Sequence, residues 1–501
     1  MVLSNSRPRR RSPVLPALLA LGGCALVACH HDSASTQLTS AASTAGPEAT
    51  AKQAPIPDAD IAQAVTRHLK EDAALRSEHV QAIVTSGICT LSGSVSSLLA
   101  KERALRVAET LKGVRSVIDQ VEVKPVFRSD AELKTDVTRE LSQESATRAH
   151  AIGVAAKDGK VTLTGTATSW PEHAFIEQVA KSVKGVKALD NKVAVKYALV
   201  PSESQIAADV KHRIGNDIWL DGNPIAVTVT GHTVHLKGTV GSVAEKARAR
   251  SDGWLAGVDA VDDSGVVVDW AARDDQRHVI DYAFRSDTDI ASAVRDAFKL
   301  DPRLETLEPQ VAVHTGIVEL SGTVDSAKAR RAAELDARDT VGVTDVRDLA
   351  TVVPAGKPTD ADIDRGVKRA LAEDLLLPDA KDIQASTSKG KVVLKGEIKS
   401  GFERFDALED TASIPGVSEI VDEMTLKRSA QDIKADIDDR VFWDATIQRD
   451  RVKVAVAPDG VATLSGTLDS WSEVRAAIED ATLGGAPRVV NLLQLRKPAP
   501  R

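Results

Sequence analysis

The chain has 501 residues, 43% of them hydrophobic and 27% charged, a composition that sustains packed cores and excludes wholesale disorder. Trp, Tyr and Phe together reach only 3%, so cores must be filled by Val, Leu, Ile and Ala, which suits several small domains better than one large pocketed enzyme. The formal charge of −8 is spread without a basic stripe, which excludes an ordinary nucleic-acid binder, and three cysteines (Cys24, Cys29, Cys89) build neither a disulfide framework nor a four-Cys zinc site.

Arg7, Arg9, Arg10 and Arg11 precede an apolar run from Pro13 to Ala28. A basic region followed by a short apolar one reads as a secretory signal, residues 1–28, and the run is too short to span a bilayer comfortably. Its end, Leu26-Val27-Ala28-Cys29, resembles the lipobox of bacterial lipoproteins, in which the Cys is acylated and becomes the mature N-terminus. Leu21-Gly22-Gly23-Cys24 is a second match. Cys29 leaves the longer apolar region and is the expected lipidation site, with Cys24 the alternative. Removing residues 1–28 deletes four Arg and no acid, which takes the charge from −8 to −12. Residues 29–56, rich in Ser, Ala, Thr and Pro, read as a disordered tether. His30 and His31 within it lack further fixed ligands, so no metal site is expected.

From residue 57 the chain repeats itself. Strand-like pieces end at Gly93, Gly165, Gly238, Gly322, Gly396 and Gly466, which are 72, 73, 84, 74 and 70 residues apart. A second glycine follows 19 or 20 residues later, at Gly113, Gly185, Gly257, Gly342, Gly416 and Gly485. Each unit opens on a helix. Capping-box spacings mark the start of five: Ser129 with Glu132, Ser202 with Gln205, Ser286 with Asp289, Thr359 with Asp362 and Ser429 with Asp432. Apolar residues four apart then line one helical face, as in Ile61, Val65 and Leu69. Two alternating stretches follow around a turn such as Asp158-Gly159, the signal of a hairpin. An Ala-rich second helix runs to the second glycine, expected as its left-handed C-cap, and a last strand closes the unit. The fold class is therefore α+β: tandem α-β-β-α-β repeats, each with two helices packed on one face of a three-stranded sheet. The repeats span 57–124, 129–196, 202–269, 286–353, 359–426 and 429–497. Residues 270–285 form a longer linker or a helix extension. Whether the six units pack together or hang as beads is open at this level.

The pattern Leu-x-Gly-x-Val, an Ala-rich helix, Gly-Val and a closing strand resembles the BON domain, a family found in bacterial envelope proteins. The resemblance covers about residues 57–497. Together with the lipobox match at Cys29, it points to a non-catalytic lipoprotein, anchored in the outer membrane and facing the periplasm. On this reading its repeats contact phospholipid, particularly anionic lipid, or organise the membrane face, with a role in envelope integrity or osmotic stress. The alternative is a periplasmic protein-binding or chaperone-like scaffold, using exposed sheet edges. Partners would be the membrane, through the anchor, and anionic phospholipid or envelope proteins, with no nucleic acid. A charge of −12 opposes anionic headgroups unless a basic face exists, and Arg103, Arg106, Lys112 and Arg115 come closest to one.

The chain carries no Gly-x-Ser-x-Gly elbow, no His-Glu-x-x-His and no phosphate-binding glycine loop, and no His recurs at one repeat position. We expect no catalytic residue, no metal and no cofactor. Cys89 stands where other repeats carry Val or Ala and is expected to fill the core. The six signature glycines are expected to be structural, placed where backbone passes backbone. Trp170 and Trp471, each five residues after a signature glycine, either staple the start of the second helix or contact a membrane or partner.

Overall fold

The computed structural model describes residues 55–496, except 145, 149, 278–284, 305–308, 355, 357, 378, 379, 449 and 450. Cys24, Cys29 and His30 therefore lie outside the described residues, as does nearly all of the tether.

Repeat 1 sets the pattern: helix Asp58–Glu71, strands His79–Thr85 and Ile88–Val95, helix Leu98–Glu109 and strand Ser116–Val123. The first two strands pair antiparallel, with Val84 opposite Cys89, and the second and third pair parallel, with Cys89 opposite Val117. A parallel pair needs a crossover, and the second helix supplies it. Alternation along the central strand turns Cys89 and Leu91 inward, where they meet Ile61, Val65 and Leu69 of the first helix and Ala100, Ala104 and Ala108 of the second. Both helices thus cover one face of the sheet. Each buried Ile, Val or Leu contributes roughly 1.5–3 kcal/mol, while the Ala row lets the second helix lie close to the sheet. Burial also pushes the Cys89 thiol up to about 11, as befits a core filler.

The other first helices are Asp130–Gln143, Glu203–Asn216, Asp287–Leu300, Asp360–Glu373 and Ala430–Trp443. The other second helices are Trp170–Lys181, Val243–Asp252, Ala327–Arg338, Gly401–Ala412 and Trp471–Leu483. Each repeat has a three-stranded sheet with its second strand central. In repeat 4 that strand breaks at Gly322, and Thr323–Val324 pairs separately with Thr351–Val352. Four of the five expected capping boxes close in full, and Ser429 accepts from the Asp432 amide.

A second lock ties helix to hairpin. Ser86 and Gly87 both have positive φ (53° and 74°), and their amides donate to the Asp58 carboxylate at 2.6 and 2.9 Å. Asp130, Asp287 and Asp360 grip their own turns in the same way. The second glycines all have positive φ, but the second helix stops short of them. In repeat 1 it ends at Glu109, and Leu111 and Lys112 turn before Gly113, the Val114 amide donating to Leu111 O (3.2 Å) and the Lys112 amide to Trp443 O of repeat 6 (2.8 Å).

The six repeats are packed on one another. Between repeats 1 and 6, the Lys112 amide donates to Trp443 O (2.8 Å) and the Ala445 amide to Thr110 O (2.9 Å). Between repeats 3 and 4, Ile218 donates to Asp339 O (2.9 Å) and Val341 to Asn216 O (3.0 Å). In both, the end of one repeat's second helix meets the end of another's first. Trp443 of repeat 6 completes the core of repeat 1. Residues 270–285 begin as a helix, Trp270–Arg277, that belongs to this packing.

Candidate functional site

Charged side chains join apolar ones such as Trp443 in the space between repeats. Arg273 is fully buried. Its Nε donates to Asp274 Oδ1 (2.9 Å) and its Nη1 to Glu245 Oε1 (2.8 Å), while Nη2 reaches the Ala445 carbonyl of repeat 6. A Cβ on Gly241 would lie 2.4 Å from its guanidinium carbon, so Gly241 keeps its passage open. Arg273 is thus a bolt between repeats 3 and 6. The polar stretch around it, Arg273-Asp274-Asp275, gives no hint in the sequence of such burial.

The residue capping the C-terminus of each first helix is acidic: Asp72, Glu144, Asp217, Asp301, Asp374 and Asp444. In repeats 1 and 3 the second helix answers with an arginine: Arg103 Nε donates to Asp72 (2.8 Å), and Arg248 to Asp217. In repeat 5 the same position holds Asp406. Burial, with Asp374 and Glu409 nearby, pushes the Asp406 carboxyl up to about 8. Burial likewise raises Asp410, Asp336 and Asp480. A cavity of about 1680 Å³ opens beside Asp336, Asp406 and Asp410, lined by side chains from repeats 1 to 5.

Trp170 is turned to its neighbour: Nε1 donates to Val258 O of repeat 3 (3.3 Å), and its ring centroid lies 4.2 Å from that of Trp254. Trp471 is half-buried, and its amide donates to Asp221 of repeat 3 (2.8 Å). Trp219 donates to Asp339 of repeat 4 (3.2 Å) beneath the Arg475 guanidinium of repeat 6. These tryptophans mark inter-repeat seams.

A Cβ on Gly93, Gly238, Gly396 or Gly466 would fall 1.8–2.2 Å from a carbonyl oxygen leading into the first strand, and on Gly165 2.8 Å from one. Gly322 differs, with no atom nearer than 3.8 Å, because the sheet is broken there. The close crossing expected at Gly322 is absent, and only its φ of +95° restricts it. Two of the four residues that come closest to a basic face in repeat 1 are engaged within the packed repeats. Arg103 is paired with Asp72 and lies over Phe402 of repeat 5, and Lys112 is buried, with Nζ donating to Phe442 O (2.8 Å).

Among the described residues no group of His, Cys, Asp and Glu has metal-binding geometry, and no helix is long and apolar enough to cross a membrane. The most exposed large apolar side chains are Phe127 (87%) and Leu199 (78%). They sit in Lys124–Arg128 and Lys196–Val200, corresponding segments that join successive repeats.

A family profile described as BON domain matches residues 57–125, 129–197, 202–269, 286–354, 359–428 and 429–497. The chain is similar to the osmotically-inducible protein Y of Escherichia coli (strain K12), 27% identical over 146 residues, which cover 28% of this chain and 73% of that one. Two solved chains of CdsD, titled a structural protein of the Type III secretion system of Chlamydia trachomatis, are 20% and 17% identical, each with a TM-score of 0.12. They cover 39% and 42% of this chain and 89% and 100% of their own.

Proposed function

The chain belongs to the BON domain family, and on that premise we propose that it is a non-catalytic, stress-related protein of the periplasm, bound to the outer membrane through Cys29, whose packed repeats contact phospholipid. The likeness to an osmotically-inducible protein supports the stress role. One observation carries the lipid contact: Phe127 and Val126 project between Lys124 and Arg128, and Leu199 and Val200 follow Lys196, all four apolar side chains being exposed. An apolar tip suits a headgroup boundary. Lys124 pairs with Glu122 (3.0 Å) and Arg128 with Asp136 (3.4 Å), so the apolar tips themselves, rather than a net positive patch, carry the contact.

Flotation with vesicles of phosphatidylglycerol and phosphatidylcholine tests this reading. The chain freed of its acyl group should float with the anionic vesicles and sink after Phe127→Ser with Leu199→Ser. Equal flotation of that variant would overturn it.

A second reading, a protein-binding scaffold, has its own support. Ile83, Ile88 and Ile118 are exposed on the outward face of the repeat 1 sheet, where Ile83 and Ile118 flank Thr90. Binding that survives the loop changes and is lost on Ile83→Ser with Ile118→Ser would favour it.

A further inference from the structure

The second strand of each repeat is central, so the last strand leaves an edge. In all six repeats an Asp or Asn of that strand accepts from the amide two residues on, as Asp119 does from Val121 (3.0 Å) and Asn491 from Leu493 (3.0 Å). Four repeats add a second guard from the second helix, eight residues after the signature glycine. Lys101 donates to Val121 O (2.8 Å), Lys246 to Val266 O (2.9 Å), Arg330 to Asp348 O (3.2 Å) and Arg404 to Met424 O (3.0 Å). Unguarded, a row of free N–H and C=O groups is a template for another strand.

Repeat 6 lacks the second guard. Val474 holds its position, and the last strand, Val489–Leu495, reads Val-Val-Asn-Leu-Leu-Gln-Leu, without a charge. Repeat 2 has His173 there, yet its last strand carries Asp190 and Lys192, and the last strand of every other repeat carries at least one acid. Leu493 stands opposite Gly466 as Val121 stands opposite Gly93 and Met424 opposite Gly396. Val121 and Met424 are buried, whereas Leu493 is half-buried and Leu492 is exposed. The Arg496 amide donates to Leu468 O, and Arg488 O accepts from the Ala462 amide. Even-numbered residues therefore bond to the neighbouring strand, and Val489, Asn491, Leu493 and Leu495 turn their N–H and C=O groups to the free edge.

We propose that Val489–Leu495 pairs antiparallel with the same strand of a second copy of the chain, across a two-fold axis at Leu492. Asn491 then pairs with Leu493 of the other copy and Val489 with Leu495, while Leu492 packs on itself. The Leu493 carbonyl, whose counterparts Val121 O and Met424 O take a Lys or Arg, gains a main-chain amide, and the Leu493 amide exchanges the Asn491 side chain for a carbonyl. A second copy suits this edge better than a foreign strand. The edge offers no charge to select a foreign sequence, and it is neutral and apolar against itself, whereas the acids of the other five would repel their own copies. Arg488 and Arg496 meet only at the rim, where Asp469 holds Arg496 (3.0 Å). The inference does not rest on the lipid contact.

The test is sedimentation velocity of the full chain freed of its acyl group. One strand pair is a small interface, so a reversible dimer is expected to form across about 1 to about 200 μM. Hydrogen exchange of the Val489, Asn491 and Leu495 amides should slow as concentration rises. Leu492→Lys, which copies Lys192 of repeat 2, sets like charges together and should raise the Kd at least about tenfold with an unchanged Tm. Leu492→Glu, which copies Glu423 of repeat 5, should do the same and serves if the first variant fails to fold. Phe127→Ser with Leu199→Ser should leave the dimer intact. A monomer across the whole range, a dimer undiminished in the Leu492 variants or lost in the Phe127 and Leu199 variant, or exchange that slows at 79–85 rather than 489–495 would each overturn the proposal.

Discussion

Arg273→Met removes one guanidinium and leaves its buried surroundings behind. The guanidinium is fully buried and donates to Glu245, Asp274 and a carbonyl of repeat 6, while the methionine chain fills much of the same volume. Deleting one partner of such a network costs about 3–5 kcal/mol, because the carboxylates stay buried without their cation. The loss falls on the contact between repeats 3 and 6, leaving each repeat's own apolar core intact. The opening equilibrium of that seam should rise at least about a hundredfold, at about 1.4 kcal/mol per factor of ten. Mild proteolysis reads this directly when opening is fast relative to cleavage. Wild type should resist cutting in 270–277, and the variant should be cut there while the single repeats survive. A change in cleavage rate below about threefold would mean that the Arg273 network does not hold the seam. Adding Glu245→Gln, which removes one stranded charge, should recover part of the loss.

Gly93→Ala drives a Cβ into the His79 carbonyl, 1.9 Å away, and should cost ~3 kcal/mol or more, whereas Gly322→Ala meets only its φ and should cost ~1–2 kcal/mol; urea denaturation of the full chain ranks them. Because the Asp406 carboxyl is raised to about 8, the native state keeps a proton that the unfolded chain has released above about pH 4. Stability should therefore fall as pH rises from about 4 to about 8, by up to about 1.4 kcal/mol per pH unit, and Asp406→Asn should flatten that slope; denaturant midpoints across this range check the sign. Cys29→Ala should move the protein from the membrane pellet to the soluble periplasmic fraction, and release by Cys24→Ala instead would assign the anchor to Cys24.

The repeat was legible because its signals are local. Ser129 and Glu132 stand three residues apart, Ile61, Val65 and Leu69 four apart, and Asp158-Gly159 is its own turn signal, so each could be read within one turn or hairpin. The carboxylate that grips the hairpin was also within reach. Asp58, Asp130, Asp287 and Asp360 each lie 29 or 30 residues before a turn glycine, a recurrence as regular as the glycines themselves. The seams between repeats were not legible. Arg273 meets Ala445 across 172 residues, and a polar helix such as Trp270–Arg277 has no apolar stripe to announce its burial. Trp170 could have been a staple or a membrane contact by spacing alone, and only the position of Trp254 decides where its ring goes. Gly322 shares its motif with five glycines that face a carbonyl at the start of the neighbouring antiparallel strand, yet its sheet is broken, a difference created by backbone pairing that no residue in the motif encodes.

Six BON repeats should form one packed body, and small-angle X-ray scattering of residues 57–496 measures whether they do. A packed chain of that length should have a radius of gyration of about 22 Å. A value roughly twice that, with the profile of separate small globules on linkers, would mean that they do not.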